Sequence, residues 1–239
     1  MNIQATTPIP VTVLTGYLGA GKTTLLNMIG GLDSVSSGYV EVDGDDLSGM
    51  NKNGLADLRL SKIGFVFQAY NLIPVLTAYE NVEFIMQLQG VPAERRRELS
   101  HEILGREGIA DMGERKPAEL SGGQQQRVFL ARAIAQQGDL FLMDEPFAAL
   151  DAQTRDLLLV EMQLIWEKTK KTILFVTHSV AEAAVLGTKV AVFSNRPSTI
   201  KREVENDFPR PRVSEDESLL KFQQDLLSEL RPEVKKNKE

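Results

Sequence analysis

The sequence predicts an α/β domain built on a mainly parallel sheet flanked by helices, with a helical sublobe and a reduced antiparallel β lobe. Three observations predict it. Short apolar or β-branched runs recur along the chain at Val11–Thr15, Leu140–Met143, Thr172–Thr177 and Val190–Phe193, as buried strands do. Segments with helical spacing separate them, which is the alternation of a doubly wound sheet. One stretch, from Thr77 to about Glu119, carries helical signals without strands and interrupts that alternation.

In chain order, Val11–Thr15 is the first strand, and Leu25, Leu26 and Ile29 then recur at helical spacing until Gly30-Gly31 closes the helix. Gly38–Gly44 alternates and ends in a turn, as an antiparallel strand does, and Ile63–Phe67 is a further strand. Thr77 with Glu80 has the spacing of a capping box and opens a helix to about Gln89, stopped by Gly90 and Pro92. A charged helix from Ala93 presents Leu99 and Ile103 on one face. Another helix follows Ser121, and a long one covers Ala152 to Lys168. Ser179 with Glu182 and Ser214 with Glu217 repeat the capping-box spacing. The last helix carries Leu219, Phe222, Leu226 and Leu230, and Lys235–Glu239 reads as a disordered tail.

Composition narrows the function. The 239 residues suffice for one large α/β domain. A net charge of −6 argues against a dedicated nucleic-acid binder, so no nucleic-acid partner is expected. Without cysteine, disulfides, thiolate metal sites and thiol catalysis are excluded. No apolar run is long enough to span a bilayer, so a membrane role must come through a partner. Met1–Pro10 lacks the pattern of a secretory leader. Two histidines, His101 and His178, are too few for a histidine-rich metal site, and His101 reads as solvated surface.

The chemistry gathers in three places. Gly16-x4-Gly21-Lys22-Thr23, between a strand and a helix, is a P-loop. Backbone N–H groups from Gly16, Gly19, Ala20, Gly21 and on to Thr24 would cradle phosphates at a helix start. Lys22 would place its charge at the β- and γ-phosphates, and the Thr23 hydroxyl would ligate Mg²⁺. The strand Leu140–Met143 ends in Asp144-Glu145, one carboxylate to hold Mg²⁺ and the next to polarise an attacking water. Ser121, Gly122, Gly123 and Gln124 open a helix as a second anion site. One triphosphate does not need two such sites in one protomer. Two copies of the chain facing head to tail, each completing the other's site, resolve the excess.

Gln68, Leu120–Gln124, Asp144-Glu145-Pro146, Leu150-Asp151 and His178 together resemble the ordered motif set of ABC ATPases, from about Met28 to Glu205. The resemblance implies a P-loop NTPase that binds ATP with Mg²⁺. It makes Gln68 a sensor of Mg²⁺ and of the transmembrane partner, Glu145 the catalytic base and His178 a switch on the γ-phosphate. Asp151 then couples the two sites of a dimer. It implies a motor subunit of a membrane transporter, cytoplasmic and held at the inner face of the membrane by permease subunits. Residues 1–205 form the nucleotide-binding domain, with its sublobe at about 77–119, and 206–239 a C-terminal helical appendage.

Some segments depart from that pattern. Val11–Asn27 is similar to the P-loop of CobW-type metal-chaperone GTPases, whose cysteine motif is absent. Gly30 to about Arg97 resembles lipoprotein-releasing and macrolide-exporter ATPases, and Ser121 to about Leu230 resembles sulfonate, taurine and nitrate importer ATPases. The alternative reading is a recombined or engineered P-loop nucleotide-binding protein, a chimera not coupled to transport. Residues 1–10 contain no aromatic to stack on adenine, and Tyr17 lies inside the loop. Loss of such a stack, about 1–3 kcal/mol, predicts an ATP-over-GTP preference below about tenfold. It also predicts an unpaired sheet edge around Gly38–Gly44.

Overall fold

The computed structural model describes residues 11–16, 21–66, 72–136, 138–148 and 150–236, with side chains to residue 230. They divide into two compact units, Met1–Met50 with Leu142–Glu145 and Asp151–Glu239, and Asn51–Phe141 with Pro146–Leu150.

In chain order the elements are β1 (Thr12–Gly16), α1 (Lys22–Ile29), β2 (Glu41–Val42), β3 (Asp45–Asp46), α2 (Lys52–Lys62) and β4 (Ile63–Val66). Then come α3 (Ala78–Leu88), α4 (Ala93–Arg106), α5 (Gly122–Ala135), β5 (Leu140–Asp144), α6 (Ala152–Thr169) and β6 (Thr172–Val176). The chain ends with α7 (Val180–Leu186), β7 (Lys189–Phe193), β8 (Ile200–Glu205) and α8 (Glu217–Lys236). Six strands form one sheet in the order β4-β5-β6-β1-β7-β8. Its centre is parallel, with Val13 opposite Phe175 on β6 and Val190 on β7. These residues are fully buried, which is why the central strands read as continuous apolar runs. The antiparallel strand β8 pairs Val204 with Val190 and closes that edge.

The structure departs from the sequence reading in several places. The Gly38–Gly44 segment is paired on one side and lies in a separate two-stranded sheet. It folds back on itself as a short hairpin, Glu41 opposite Asp46 and Val42 opposite Asp45. Asp43 and Gly44 both take positive φ, 51° and 80°, as a type I′ turn demands. α2, not anticipated, is capped by Asn51, whose side chain accepts from the Gly54 N–H at 2.9 Å. β8 carries no strand signal in the sequence, because it sits in Pro- and charge-rich text whose alternation is mostly polar. Ser214 does not cap α8. The Asp216 carboxylate takes that position, accepting from the Ser218 N–H at 3.2 Å. α8 itself runs through Lys235 and Lys236 of the expected tail, and residues 237–239 lie outside the described residues.

The second unit is held by its own core. Ala78, Val82, Met86, Ile103, Leu104, Leu120, Val128 and Ala131 interlock between α3, α4 and α5. Buried Asn81 is satisfied by the loop before α3. It donates to the carbonyls of Ile73, Leu76 and Thr77 and accepts from the Ile73 N–H at 2.8 Å. Thr77 and Glu80 form the expected reciprocal capping box. His101 is exposed as read, but its ring stacks on Tyr79 with centroids 3.9 Å apart. In the first unit, buried Arg212 spends its guanidinium on the carbonyls of Gly187 at 2.6 Å, Phe208 at 2.7 Å and Asn206 at 2.8 Å. That network ties the 206–212 segment to the end of α7.

Candidate functional site

The candidate phosphate-binding segment leaves β1 through a backbone only glycine tolerates. Gly16 ends β1 at φ 144°, and a Cβ there would lie 2.7 Å from the Phe193 carbonyl oxygen. Residues 17–20, including Gly19 and Ala20, lie outside the described residues. The chain re-emerges at Gly21, left-handed at φ 75°, as the N-cap of α1. Among the described residues no side chain caps this helix, and its first turn holds no acidic residue. A helix start with neither a side-chain cap nor an acidic residue is a natural seat for an anion. Lys22 is 5% exposed and donates from Nζ to the Gly16 carbonyl at 3.0 Å. Burial pulls its pKa below the ordinary lysine value, against the opposing pull of Glu145 and Asp144.

Two carboxylates stand at the tip of β5. Asp144 accepts from the Thr23 hydroxyl at 3.2 Å. Burial pushes its carboxyl above the usual range, while the Thr23 bond and Lys22 pull it down and Glu145 adds to the rise. Glu145 sits at φ 46°, a left-handed conformation costing a non-glycine residue about 1–2 kcal/mol. Such strain gathers at functional positions. Its N–H donates to Val176 at the end of β6 at 2.9 Å, which aims the side chain toward the next loop. There the His178 Nδ1 lies 3.1 Å from Glu145 Oε2. A neutral ring donating from Nδ1 to the carboxylate keeps Nε2 as a free-facing acceptor. Asp151 caps α6, accepting from Thr154 N–H at 2.9 Å and Thr154 Oγ1 at 2.8 Å, and these bonds hold it below the ordinary carboxylate range.

The loop bearing His178 differs from its sequence reading. Ser179 Oγ accepts from the Glu182 N–H at 3.3 Å, but the Glu182 carboxylate does not return to the Ser179 backbone. It accepts the Thr177 hydroxyl at 2.6 Å and faces Arg155 Nε at 3.5 Å. The reciprocal half of that capping box is absent. Sequence spacing did not reveal that Thr177, Glu182 and Arg155 meet beside this loop.

In the second unit Ser121 caps α5 in a full capping box with Gln124, the Ser121 N–H donating to Gln124 Oε1 at 2.9 Å. Ser121 and Gly122 are exposed, and Gly123 and Gln124 half-buried. Buried Gln126 donates to the carbonyl of Pro146 at 3.3 Å. Gln68 lies outside the described residues.

A strand ending at Gly16, a left-handed Gly21 and a helix start beside a buried lysine are the parts of a P-loop in an α/β protein. The ABC transporter family profile matches residues 6–148. An uncharacterized ABC transporter ATP-binding protein of Methanocaldococcus jannaschii is 42% identical over 93% of this chain and 80% of its own length. A nitrate import ATP-binding protein of Synechocystis is 41% identical over 81% of this chain and 70% of its own. A taurine import ATP-binding protein of Chromobacterium violaceum is 37% identical over 85% and 74%. Among solved structures, a dimeric ATP-binding cassette in a post-hydrolysis state with ADP and phosphate superposes with a TM-score of 0.74 at 35% identity. It covers 84% of this chain and 87% of the other. This chain belongs to the ABC transporter family, as an ATP-binding cassette with ATPase function.

Proposed function

We propose that the chain hydrolyses MgATP by in-line attack of water and drives a membrane permease as a head-to-tail dimer. The observation that carries this reading is the convergence in one unit of Lys22, the Thr23–Asp144 pair and the Glu145–His178 pair at the start of α1. The donor chemistry fits a magnesium nucleotide. A hydroxyl and a carboxylate 3.2 Å apart are hard oxygen ligands, and among the described residues no cluster of three or more His, Asp or Glu forms a cation cage. Mg²⁺ is ordinarily held by one or two such protein oxygens together with phosphates and water. Thr23 and Asp144, with Gln68, would hold it, and when bound it would neutralise charge on the phosphate oxygens.

The protein's own groups then divide the work. The glycine turn and helix start bind the phosphates, and Lys22 exchanges its Gly16 carbonyl for phosphate oxygen. Glu145 accepts the proton of the attacking water, and His178 faces the γ-phosphate while holding the Glu145 carboxylate in place. Ser121–Gln124 of a second copy completes each site, and Asp151 couples the two. Residues 1–205 form the nucleotide-binding domain, with a helical sublobe at about 77–119, and 206–239 the appendage. No helix of the described residues is long and apolar enough to cross a membrane. The permease supplies the membrane anchor, placing the chain on the cytoplasmic face, a reading supported by relatives named for nitrate and taurine import.

Glu145→Gln tests the assignment. Nucleotide affinity should stay near that of the wild type while turnover falls by about 10²–10⁴, the scale of a lost general base. Measured by binding titration and phosphate release, wild-type turnover in this variant would remove Glu145 from the role.

A further inference from the structure

A buried carboxylate outside the P-loop cluster stands next to the histidine. Glu182 is 4% exposed, a placement that costs free energy unless the charge is paired and hydrogen-bonded. A surface capping box would need no such burial. Glu182 meets one hydrogen-bond and one ion-pair partner. Its Oε2 accepts the Thr177 hydroxyl at 2.6 Å, and its Oε1 faces Arg155 Nε at 3.5 Å. Burial raises its carboxyl pKa, and the Thr177 bond and Arg155 oppose the rise.

Both ends of this arrangement lead to groups assigned above. On one side, the Thr177 Oγ that donates to Glu182 also accepts from the Ser179 N–H at 2.9 Å. The Thr177 N–H is fixed in turn to the Leu14 carbonyl at 3.1 Å. The residues before and after His178 are therefore both pinned through one hydroxyl, whose own orientation is set by Glu182. His178 itself has a side chain 47% exposed, so packing alone does not fix its ring. On the other side, Arg155 stands in the first turn of α6. Its N–H donates to the Asp151 carbonyl at 3.0 Å, and the Asp151 side chain caps the same turn.

We propose that Glu182 is a positioning residue for hydrolysis, tying the loop that carries His178 to the first turn of α6 so that the His178–Glu145 contact is set from the Asp151 end of that helix. Arg155, Glu182 and Thr177 act in series, and any one of them acts on the chemistry only through His178. A shift of α6 at Asp151 thereby reaches the histidine without touching the nucleotide. The inference rests on the functional reading given above.

The test uses the full-length chain and separates kcat, KM for ATP and thermal midpoint. Glu182→Gln keeps shape and a hydrogen-bond acceptor but loses the charge facing Arg155. It should lower kcat by about tenfold, within the range of coupled neighbours, with KM for ATP within about twofold. Arg155→Met should lower kcat too, and the double variant should be no worse than Glu182→Gln alone, as serial action requires. Thr177→Val should reproduce the loss and Thr177→Ser should restore most of it. In a His178→Ala background, Glu182→Gln should add nothing. Wild-type kcat in both Glu182→Gln and Thr177→Val, multiplying losses in the double variant, or a kcat loss that simply follows a fall in thermal midpoint would overturn the relay. Glu145→Gln run alongside distinguishes the failures. If it is fully active, the functional reading falls. If it is inactive while Glu182→Gln is silent, only the relay falls.

Discussion

Lys22 is a buried cation that donates to the Gly16 carbonyl, and its charge is costly to the fold. Burial is the leading cause of its lowered pKa, ahead of the attraction of Glu145 and Asp144. The unfolded chain therefore binds this proton more tightly than the folded one. Stability rises wherever the unfolded state holds more protons. The penalty is thus full below the folded pKa and is relieved as pH climbs from there toward the ordinary value of 10.5. Lys22→Met, which cannot ionise, should raise the thermal midpoint at pH 7 while abolishing tight nucleotide binding. The gap from wild type should narrow in alkaline buffer, and calorimetric scans from pH 7 to 10 give the comparison. A variant no more stable than wild type at pH 7 would show that the nearby carboxylates outweigh burial. Lys22, Thr23, Asp144 and Glu145 stand out in the sequence because strand tips and a helix start fix their spacing, whereas His178 enters only through the family resemblance. Glu182 was not, since Ser-x-x-Glu describes an ordinary cap equally well, and only the fold reveals that its carboxylate turned inward to Thr177.

At the scale of elements, legibility followed local chemistry. Thr77–Glu80 and Ser121–Gln124 each satisfy two helix-start donors within four residues, so no tertiary knowledge was needed to place α3 and α5. α2 carries fewer apolar residues, with Leu58 the one it buries fully, and its pattern is correspondingly faint. β8 draws its strandedness from the neighbour β7, a tertiary contact that its charged sequence does not announce. The two-residue strands β2 and β3 depend on the Asp43-Gly44 turn rather than on strand propensity. The box at α3 can be measured. Thr77→Ala removes the acceptor for the Glu80 N–H, now at 3.2 Å. It should lower unfolding free energy by about 1 kcal/mol. Thr77→Ser should recover most of that, with urea unfolding as the readout. A neutral Thr77→Ala would mean that Asn81 alone holds the loop before α3 through its four bonds to Ile73, Leu76 and Thr77.

At the scale of the whole molecule, the described residues include two glycine-bearing helix starts suited to anions, that of α1 in one unit and that of α5 in the other. The first carries the lysine and both carboxylates. The second has no cation in its own first turn, where Ser121 is followed by Gly122, Gly123 and Gln124. A helix start contributes only partial charge. The α5 start therefore suits a supporting contact to phosphate rather than an independent nucleotide site. If that contact is made across a two-fold dimer, the two defects should complement. A Lys22→Ala chain keeps an intact Ser121, and a Ser121→Arg chain keeps an intact Lys22. Each alone builds only defective sites. In a mixed dimer, one site pairs the two lesions and the other pairs the two intact parts. With random pairing, half the dimers are mixed and each has one working site, so turnover should recover to about a quarter of wild type. Phosphate release on mixing the purified chains reads this directly. A site contained in one chain predicts no recovery at any mixing ratio, because every nucleotide would still meet its own chain's lesion.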